Sequence, residues 1–220
     1  MTITPTLLSV NTGTPRPIDT QAGVSAIDKR PVAGPVRVDT PVDDGAVGVE
    51  GDHVVDTAYH GGPDQAVYAY AREDLDRWES EVGGALVPGA FGENFTTLGV
   101  DVCGAELGET WRVGADLVVR VTKPRTPCRA FAAHLARAGW VKAFTRAART
   151  GAYLRVVRPG LVRAGDPVTV VDRPGHGVTV SAVFRAMTLE PGLLPGLLAA
   201  GAYLPSSARA RVEARSGGSA

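Results

Sequence analysis

Up to about residue 170, the apolar residues come in short runs that are rich in β-branched side chains and end at Gly, Pro or Asp. Runs of this kind are typical of β-strands. They predict strands at residues 7–10, 35–39, 54–58, 66–70, 117–122, 153–157 and 168–171. The spacing of these runs favours a barrel or a folded-over sheet over repeating βαβ units.

Two stretches with helical spacing interrupt the strands. In residues 72–82, Leu75, Trp78 and Val82 fall at i, i+3 and i+7, which predicts one apolar helix face. Residues 130–148 follow the same spacing, and Gly139 is expected to split or bend this helix. We interpret both faces as core faces without a function of their own.

The pattern changes after residue 172 to three short helical segments, at 179–187, 193–200 and 206–215, separated by Pro and Gly. The chain is therefore predicted to be mainly β with α+β character. A β-barrel domain with interrupting helices is expected at 1–172, a small three-helix domain at 173–215 and a disordered tail at 216–220. The terminal helices could dock on the barrel, on a second subunit in a homodimer or on a redox partner.

Composition narrows the possible functions. The 220 residues include 23 Lys and Arg and 23 Asp and Glu, so a net charge of zero gives no support to binding nucleic acid or an anionic membrane by overall charge. The N-terminus lacks the features of a signal peptide, and no apolar run is long enough to span a membrane. Two cysteines do not indicate a disulfide scaffold, so we expect a reduced, cytoplasmic protein.

Cys128 is the most informative position for chemistry. It follows two prolines, has Lys123, Arg125 and Arg129 nearby, and precedes a predicted helix. Positive charge and a helix N-terminus both favour the thiolate, which attacks electrophiles or binds a soft metal. The alternative is a buried cysteine that acts as a small hydrophobe. Cys103 has no basic neighbour within three residues, and we interpret it as structural.

Four other clusters join polar groups to Gly or Pro turns: Lys29 with Arg30, His60 with Asp64, Glu93 with Asn94, and Arg155. Neighbouring side chains on a strand point to opposite faces, so at most one of Lys29 and Arg30 should enter a given pocket. The Glu93 carboxylate and the Asn94 amide on a turn could hydrogen-bond to the edge of a heterocycle. Arg155 could bind a phosphate with two hydrogen bonds. The structural alternatives are a solvated cation pair, tight turns and a salt bridge at the barrel rim.

Five short fragments of the sequence, taken together and in order, resemble the MOSC domain. They are Ser-Ala-Ile-x-Lys-Arg-Pro-Val, Gly-x-x-Gly-Asp, His-Gly-Gly-x-Asp, Gly-x-Phe-Gly-Glu-Asn and Pro-Arg-x-Pro-Cys. This module forms the C-terminal part of molybdenum-cofactor sulfurases and also occurs as free-standing bacterial proteins. The Arg-Thr-Gly-x-Tyr-x-Arg-Val run and the three-helix tail resemble the bacterial branch linked to hydroxylaminopurine resistance. One departure is Gln65, where a lysine is usual.

The resemblance implies a β-barrel with a basic cleft for the molybdenum cofactor (molybdopterin), a phosphorylated pterin dithiolene, and a function independent of pyridoxal phosphate. Cys128 would then supply thiolate to molybdenum or carry sulfur. The resemblance also implies that Lys29 or Arg30, Arg125 and Arg155 bind the phosphate and the pterin. It implies that Glu93 and Asn94 bind the pterin edge. His60 and Asp64 would shape the pocket and relay protons.

The leading functional hypothesis is reduction of an N-hydroxylated small molecule, such as a hydroxylamino base, at a molybdenum centre bound by Cys128. The sequence has no Gly-x-Gly-x-x-Gly after a strand and no multi-cysteine cluster, so an external reductase would supply the electrons. A second hypothesis is a non-enzymatic carrier of the cofactor or of sulfur, with a persulfide at Cys128. A third is a plain scaffold whose basic residues form salt bridges.

Overall fold

The computed structural model describes residues 4–217. Its strands are β1 (Thr6–Thr12), β2 (Arg16–Pro17), β3 (Val24–Ser25), β4 (Arg30–Pro31), β5 (Val36–Val38), β6 (Val67–Ala71), β7 (Phe95–Leu98), β8 (Thr110–Val113), β9 (Leu117–Pro124), β10 (Ala152–Arg158), β11 (Gly160–Val162) and β12 (Val168–Asp172). Its α-helices are α1 (Arg72–Val82), α2 (Arg129–His134), α3 (Trp140–Ala147), α4 (Val180–Thr188) and α5 (Ser206–Gly217), and 3₁₀ segments lie at Pro63–Gln65 and Pro191–Tyr203.

Eight strands form one large sheet in the order β12-β8-β9-β10-β6-β7-β1-β4. All neighbours in this sheet are antiparallel except β6 and β7, which are parallel. Backbone hydrogen bonds join β1 to the segment that leads into β12: the Leu7 N–H donates to the Asp166 carbonyl, and the Gly165 N–H donates to the Leu7 carbonyl, each at 2.8 Å. The sheet therefore closes on itself as a barrel.

The predicted α+β class with a large β-sheet is confirmed, and six of the seven predicted strands correspond to β1, β5, β6, β9, β10 and β12. The predicted strand at 54–58 is wrong. The Asp56 carbonyl there accepts hydrogen bonds from the Tyr59 and His60 N–H groups, so the chain turns and does not extend. Strands β7 and β8, and the two- or three-residue strands β2, β3, β4 and β11, were not predicted from the sequence.

The helix at 72–82 is confirmed with the predicted bounds. The predicted break at Gly139 is also confirmed, because this residue has a φ of 73° and separates α2 from α3. The segment predicted as a helix at 193–200 lies inside a 3₁₀ run that has a kink at Gly201. Helix α5 extends to Gly217, so two positions of the predicted tail are helical, and residues 218–220 lie outside the described residues.

Two apolar clusters build the interior. The larger one fills the barrel and continues without a break into α4, the 3₁₀ segment and α5, through Val183, Leu197 and Val212. The smaller cluster is aromatic, and it packs α1, α2 and α3 against β6. Its aromatic members are Tyr68, Tyr70, Trp78, Phe91, Phe131, Trp140 and Phe144. Within residues 4–217, no helix is both long and apolar enough to cross a membrane.

Candidate active site around Cys128

Cys128 stands at the junction between the barrel and α2. Strand β9 ends at Pro124, and the next residues carry the chain to Cys128, which is the N-cap of α2 in an extended conformation. The side chain is free and only partly buried, whereas the other free cysteine, Cys103, is buried. The thiol packs against the aromatic cluster at one side, so the fold fixes its position.

The surroundings of Cys128 favour the thiolate. Burial by itself would raise the pKa of this thiol, but three contacts outweigh it: a hydrogen bond with His60, the charge of Arg125 and the backbone N–H of Phe131. Together they lower the pKa from its ordinary value of 9.0 to about 7. The first turn of α2 and the charge of Arg125 lower the pKa of Cys128, as the sequence predicts. His60 adds a hydrogen bond that the sequence did not reveal.

Arg125 is a buried cation with spare donor capacity. Its side chain is 4% exposed, and its guanidinium carbon lies 4.1 Å from the Phe131 ring centroid and 5.2 Å from that of Tyr68. The Nη1 atom has no hydrogen-bond partner among the described residues. An unpaired buried donor is costly. The position therefore suits an anionic or electron-rich ligand that the protein itself does not provide.

A cleft of about 670 Å³ opens beside these two residues, and we call it the first cleft. The barrel mouth and the loop before His60 enclose it. Among the predicted site residues, it brings together five: Lys29, His60, Asn94, Arg125 and Cys128. This volume lies in the usual range of small-molecule sites, about 300–1,000 Å³.

Lys29 and Asn94 belong to a hydrogen-bonded wall of the first cleft. The Lys29 ammonium pairs with Asp52 Oδ1, and Asn94 Nδ2 donates to Asp52 Oδ2 at 2.8 Å. Burial lowers the pKa of Lys29, although the nearby Asp52 carboxylate opposes this effect. Asn94 Oδ1 in turn accepts the N–H of Tyr68 at 3.1 Å. These polar groups already have protein partners, so they shape the wall more than they add free charge.

Glu93 does not line the first cleft. It is fully buried, and its carboxylate accepts hydrogen bonds from the N–H groups of Gly89 (2.6 Å) and Phe91 (3.0 Å) and from Thr96 Oγ1 (2.8 Å). Gly89 has a φ of 89°, and a Cβ there would lie 2.4 Å from the Lys29 carbonyl. Glu93 thus holds the turn that packs against Lys29, and it is not in position to meet a ligand's edge.

His60 reaches the cleft from a glycine turn. Gly61 and Gly62 have φ values of 85° and 82°, and a Cβ on Gly61 would lie 2.6 Å from the backbone of Gly45. The two glycines therefore let the chain pass close to a neighbouring loop and direct His60 towards Cys128.

Besides Glu93, three predicted site residues lie outside the first cleft. Arg155 and Asp64 pair with each other at 2.7 Å on the outer surface. Arg30 is exposed on β4 and pairs with Asp28 at 2.7 Å, while its neighbour Lys29 points inward. The opposite orientation of the two neighbours follows from the alternation of side chains along an extended segment.

Several residues that line the first cleft could not be recognised from the sequence. Asp52 lies in the Gly-x-x-Gly-Asp fragment, but its part in the wall follows only from contacts with residues distant in the sequence. Tyr68 and Tyr153 pack against each other near Arg125, with their ring centroids 5.3 Å apart and their planes tilted by 43°. They lie on β6 and β10, which are adjacent only in the barrel. The aromatic character of these strands gave no separate signal for a site.

Comparisons with known proteins agree with this geometry. The model of the MOSC domain matches residues 56–169, which is about half of the chain and includes His60, Arg125 and Cys128. The chain belongs to the MOSC family.

Within the MOSC family, the chain is 32% identical over 181 residues to the uncharacterized protein YflK of Bacillus subtilis, covering 81% of this chain and 79% of that protein. It is 30% identical over 165 residues to a protein of Gibberella moniliformis named a reductase, covering 71% of this chain and 29% of that protein. The crystal structure of YiiM from Geobacillus stearothermophilus superposes with a TM-score of 0.76 at 28% identity, covering 96% of this chain and 98% of that one. The similarity indicates the YiiM-like branch of the family.

MOSC domains are associated with molybdenum-cofactor sulfurases, so this cofactor is the relevant ligand to compare with the residues of the first cleft. A phosphorylated pterin dithiolene needs a soft donor for its metal and cations for its phosphate. The first cleft offers the Cys128 thiolate, the unpartnered Nη1 of Arg125 and the exposed Arg129 at its mouth. These residues fit such a group.

Proposed function

We propose that this MOSC protein binds the molybdenum cofactor in the first cleft, with the Cys128 thiolate as the protein ligand to molybdenum. We propose further that it reduces N-hydroxylated small molecules, such as hydroxylaminopurines, with electrons from a separate reductase. The observation that carries the proposal is one cleft that holds both a thiol with a pKa of about 7 and a buried guanidinium with an unpartnered nitrogen.

Each side chain has a separate role in this proposal. Arg125, held between the rings of Tyr68 and Phe131, would bind the anionic part of the cofactor without needing to reorient. His60 would favour the ionised form of Cys128 through its hydrogen bond, which lowers the pKa of that thiol. When bound, the cofactor supplies the two-electron chemistry at the metal. The Lys29–Asp52–Asn94 wall would keep the pocket in shape around it.

The reaction requires an outside source of electrons. Reduction of a hydroxylamino group to an amine breaks the N–O bond, takes up two electrons and two protons, and releases water. The sequence has two cysteines and no Gly-x-Gly-x-x-Gly after a strand, so we assign the electron supply to a separate reductase. The similarity to a protein named a reductase supports a redox role.

The proposal is tested with full-length protein made in a host that synthesises the cofactor. Elemental analysis should find molybdenum, and the protein should convert hydroxylaminopurine to the amine with a reducing system. Cys128→Ser should lose molybdenum but unfold at the same temperature as the wild type, because the half-buried thiol contributes little to the core. Cys103→Ala is the matched control, and it should retain the metal.

Three results would contradict the proposal. Unchanged molybdenum in Cys128→Ser would exclude the ligand role of that sulfur. Bound cofactor without turnover of any N-hydroxylated compound would favour the carrier function, in which Cys128 bears a persulfide. A wild-type protein that cannot be loaded with the cofactor would favour a scaffold.

A further inference from the structure

A second cleft, of about 430 Å³, adjoins the first at Cys128. It is formed between the barrel mouth and the C-terminal helices, so it is distinct from the first cleft. On the barrel side it is lined by Lys123 and Tyr153, and on the helix side by Phe184 and Met187 of α4 and by Ser207 of α5. The volume is sufficient for a small organic molecule.

The two clefts meet at the sulfur. Five residues line both of them: Asp56, His60, Gln65, Cys128 and Tyr153. A ligand in the second cleft therefore approaches the same thiol as a ligand in the first, but between the barrel and α4 and α5. Such an arrangement lets one molecule be held in the first cleft while another reaches the same thiol from the second.

The walls of the second cleft differ in character from those of the first. The partly buried Met187 presents thioether surface from α4, next to Phe184, which is only 1% exposed. On the barrel side, Lys123 Nζ lies 6.0 Å from the Tyr153 ring centroid. Aromatic rings and Met side chains pack well on flat π-systems. Lys123 and Asp56 both line the cleft and carry opposite formal charges, so the cleft has no excess of positive charge. This favours a neutral ligand over a phosphorylated one.

We propose that the second cleft holds the N-hydroxylated substrate, a planar and neutral nitrogen heterocycle, and that α4 and α5 form the wall that selects it. This inference rests on the proposed function for its chemistry, but the site itself can be examined without turnover. The C-terminal helices would then determine specificity: a substrate too bulky for the space between Met187 and Tyr153 would not reach the sulfur.

The test measures binding of adenine, a planar neutral base, by isothermal titration or ligand-observed NMR. The wild type should bind adenine, and Ser207→Trp should weaken this binding by about tenfold or more. Ser207 is exposed, so an indole at this position should not unfold the protein. Met187→Trp should have the same effect from α4. Leu189→Trp is the control, because Leu189 is exposed next to α4 and does not line the cleft.

A second measurement uses protein that has been loaded with the molybdenum cofactor. Ser207→Trp should keep the molybdenum content of the wild type and raise the KM for hydroxylaminopurine, whereas kcat/KM for hydroxylamine, which is far smaller, should change by less than about twofold. Adenine that binds the wild type and both cleft variants equally would overturn the inference, and so would loss of molybdenum in Ser207→Trp. Failure of the proposed function would look different, because the wild type itself would then lack molybdenum while the adenine result would still stand.

Discussion

At the scale of single residues, the two cysteines show how the surroundings decide the chemistry of one functional group. Burial raises the pKa of Cys103 to about 12, and the nearby Asp74 carboxylate adds to this effect. The Cys103 thiol donates to Asp74 Oδ2 at 3.6 Å, so it is a packed hydrogen-bond donor. Cys128, which has a cation and a histidine for neighbours, has a pKa of about 7.

This contrast predicts selective alkylation. The rate of Cys128 modification by iodoacetamide should be half-maximal near pH 7, because only the thiolate reacts, and Cys103 should stay unmodified in the folded protein. His60→Ala should move the midpoint up towards 9.0, since it removes the hydrogen bond that favours the thiolate. Mass spectrometry of peptides from a pH series measures both. A midpoint that does not move in His60→Ala would show that the histidine does not control the thiol.

The basic residues give a second prediction at this scale. Arg125→Ala should lower cofactor loading by about tenfold or more, because it removes a buried guanidinium with a free donor. Arg30→Ala is the matched control: Arg30 is exposed, pairs with Asp28 and should leave loading unchanged. Molybdenum per mole of purified protein measures the effect. Equal losses in the two variants would mean that general charge, and not the Arg125 position, attracts the cofactor.

The sequence could point to candidate site residues but not to their partners. Cys128 and Arg125 lie in one short segment, so local charge and proline spacing were enough to predict them. The structural role of Asp52 could not be predicted, because it depends on hydrogen bonds from the distant residues Gly13, Lys29 and Asn94. Glu93 bonds within its own turn, but its burial is a property of the fold that the local sequence does not reveal. The exposed Arg155–Asp64 pair is likewise a contact between distant positions.

At the scale of elements, the short helix α2 controls the site. It has six residues and begins at the reactive cysteine. A helix this short is marginal by itself, so its position depends on packing. Phe131 supplies that packing: it is fully buried, its ring is perpendicular to those of Trp140 and Phe144, and Arg125 lies on its face.

Phe131→Ala should therefore combine two effects. It should lower the free energy of unfolding by about 3–5 kcal/mol, as for other buried aromatic residues. It should also raise the pKa of Cys128, because Arg125 and the Phe131 N–H lose their fixed positions. Phe144→Ala, in α3 of the same cluster, should lose similar stability without shifting the thiol. Chemical denaturation and the alkylation profile check both, and equal pKa shifts in the two variants would argue against a specific role for α2.

Elements with a strong periodic pattern could be predicted, and short ones could not. Helix α1 and the break at Gly139 follow from apolar spacing and glycine conformation, which are local properties. Residues 54–58 have the composition of a strand, but they pair with no strand among residues 4–217, and the chain turns at Asp56 instead. Strand β7 forms because parallel pairing with β6 and antiparallel pairing with β1 stabilise four residues from both sides.

At the scale of the whole molecule, the barrel and the C-terminal helices share one apolar interior. Val183 and Leu197 belong to the same cluster as Leu117 and Val119 in the barrel. The predicted boundary at residue 172 therefore crosses a continuous core. A shared core predicts one cooperative unfolding transition for the entire chain.

Leu197→Ala provides the test. Leu197 is 2% exposed, so the variant should be less stable by about 2–5 kcal/mol, while the adjacent and exposed Leu198→Ala should change little. Far-UV circular dichroism follows the helices, and tryptophan fluorescence follows the rest of the chain, because Trp78, Trp111 and Trp140 all precede residue 172. The two signals should coincide in denaturant. If circular dichroism is lost first, the helices form an independent unit.

The seam that closes the barrel also sets the order in which the protein can fold. It joins the first strand of the chain to the residues just before β12, so its two sides are among the most distant partners in the sequence. During synthesis, β1 emerges from the ribosome long before its seam partner exists, and until then one edge of this strand stays open. Contacts of such separation slow folding. Completion of the barrel is therefore expected to be a late event, after most of the chain has been made.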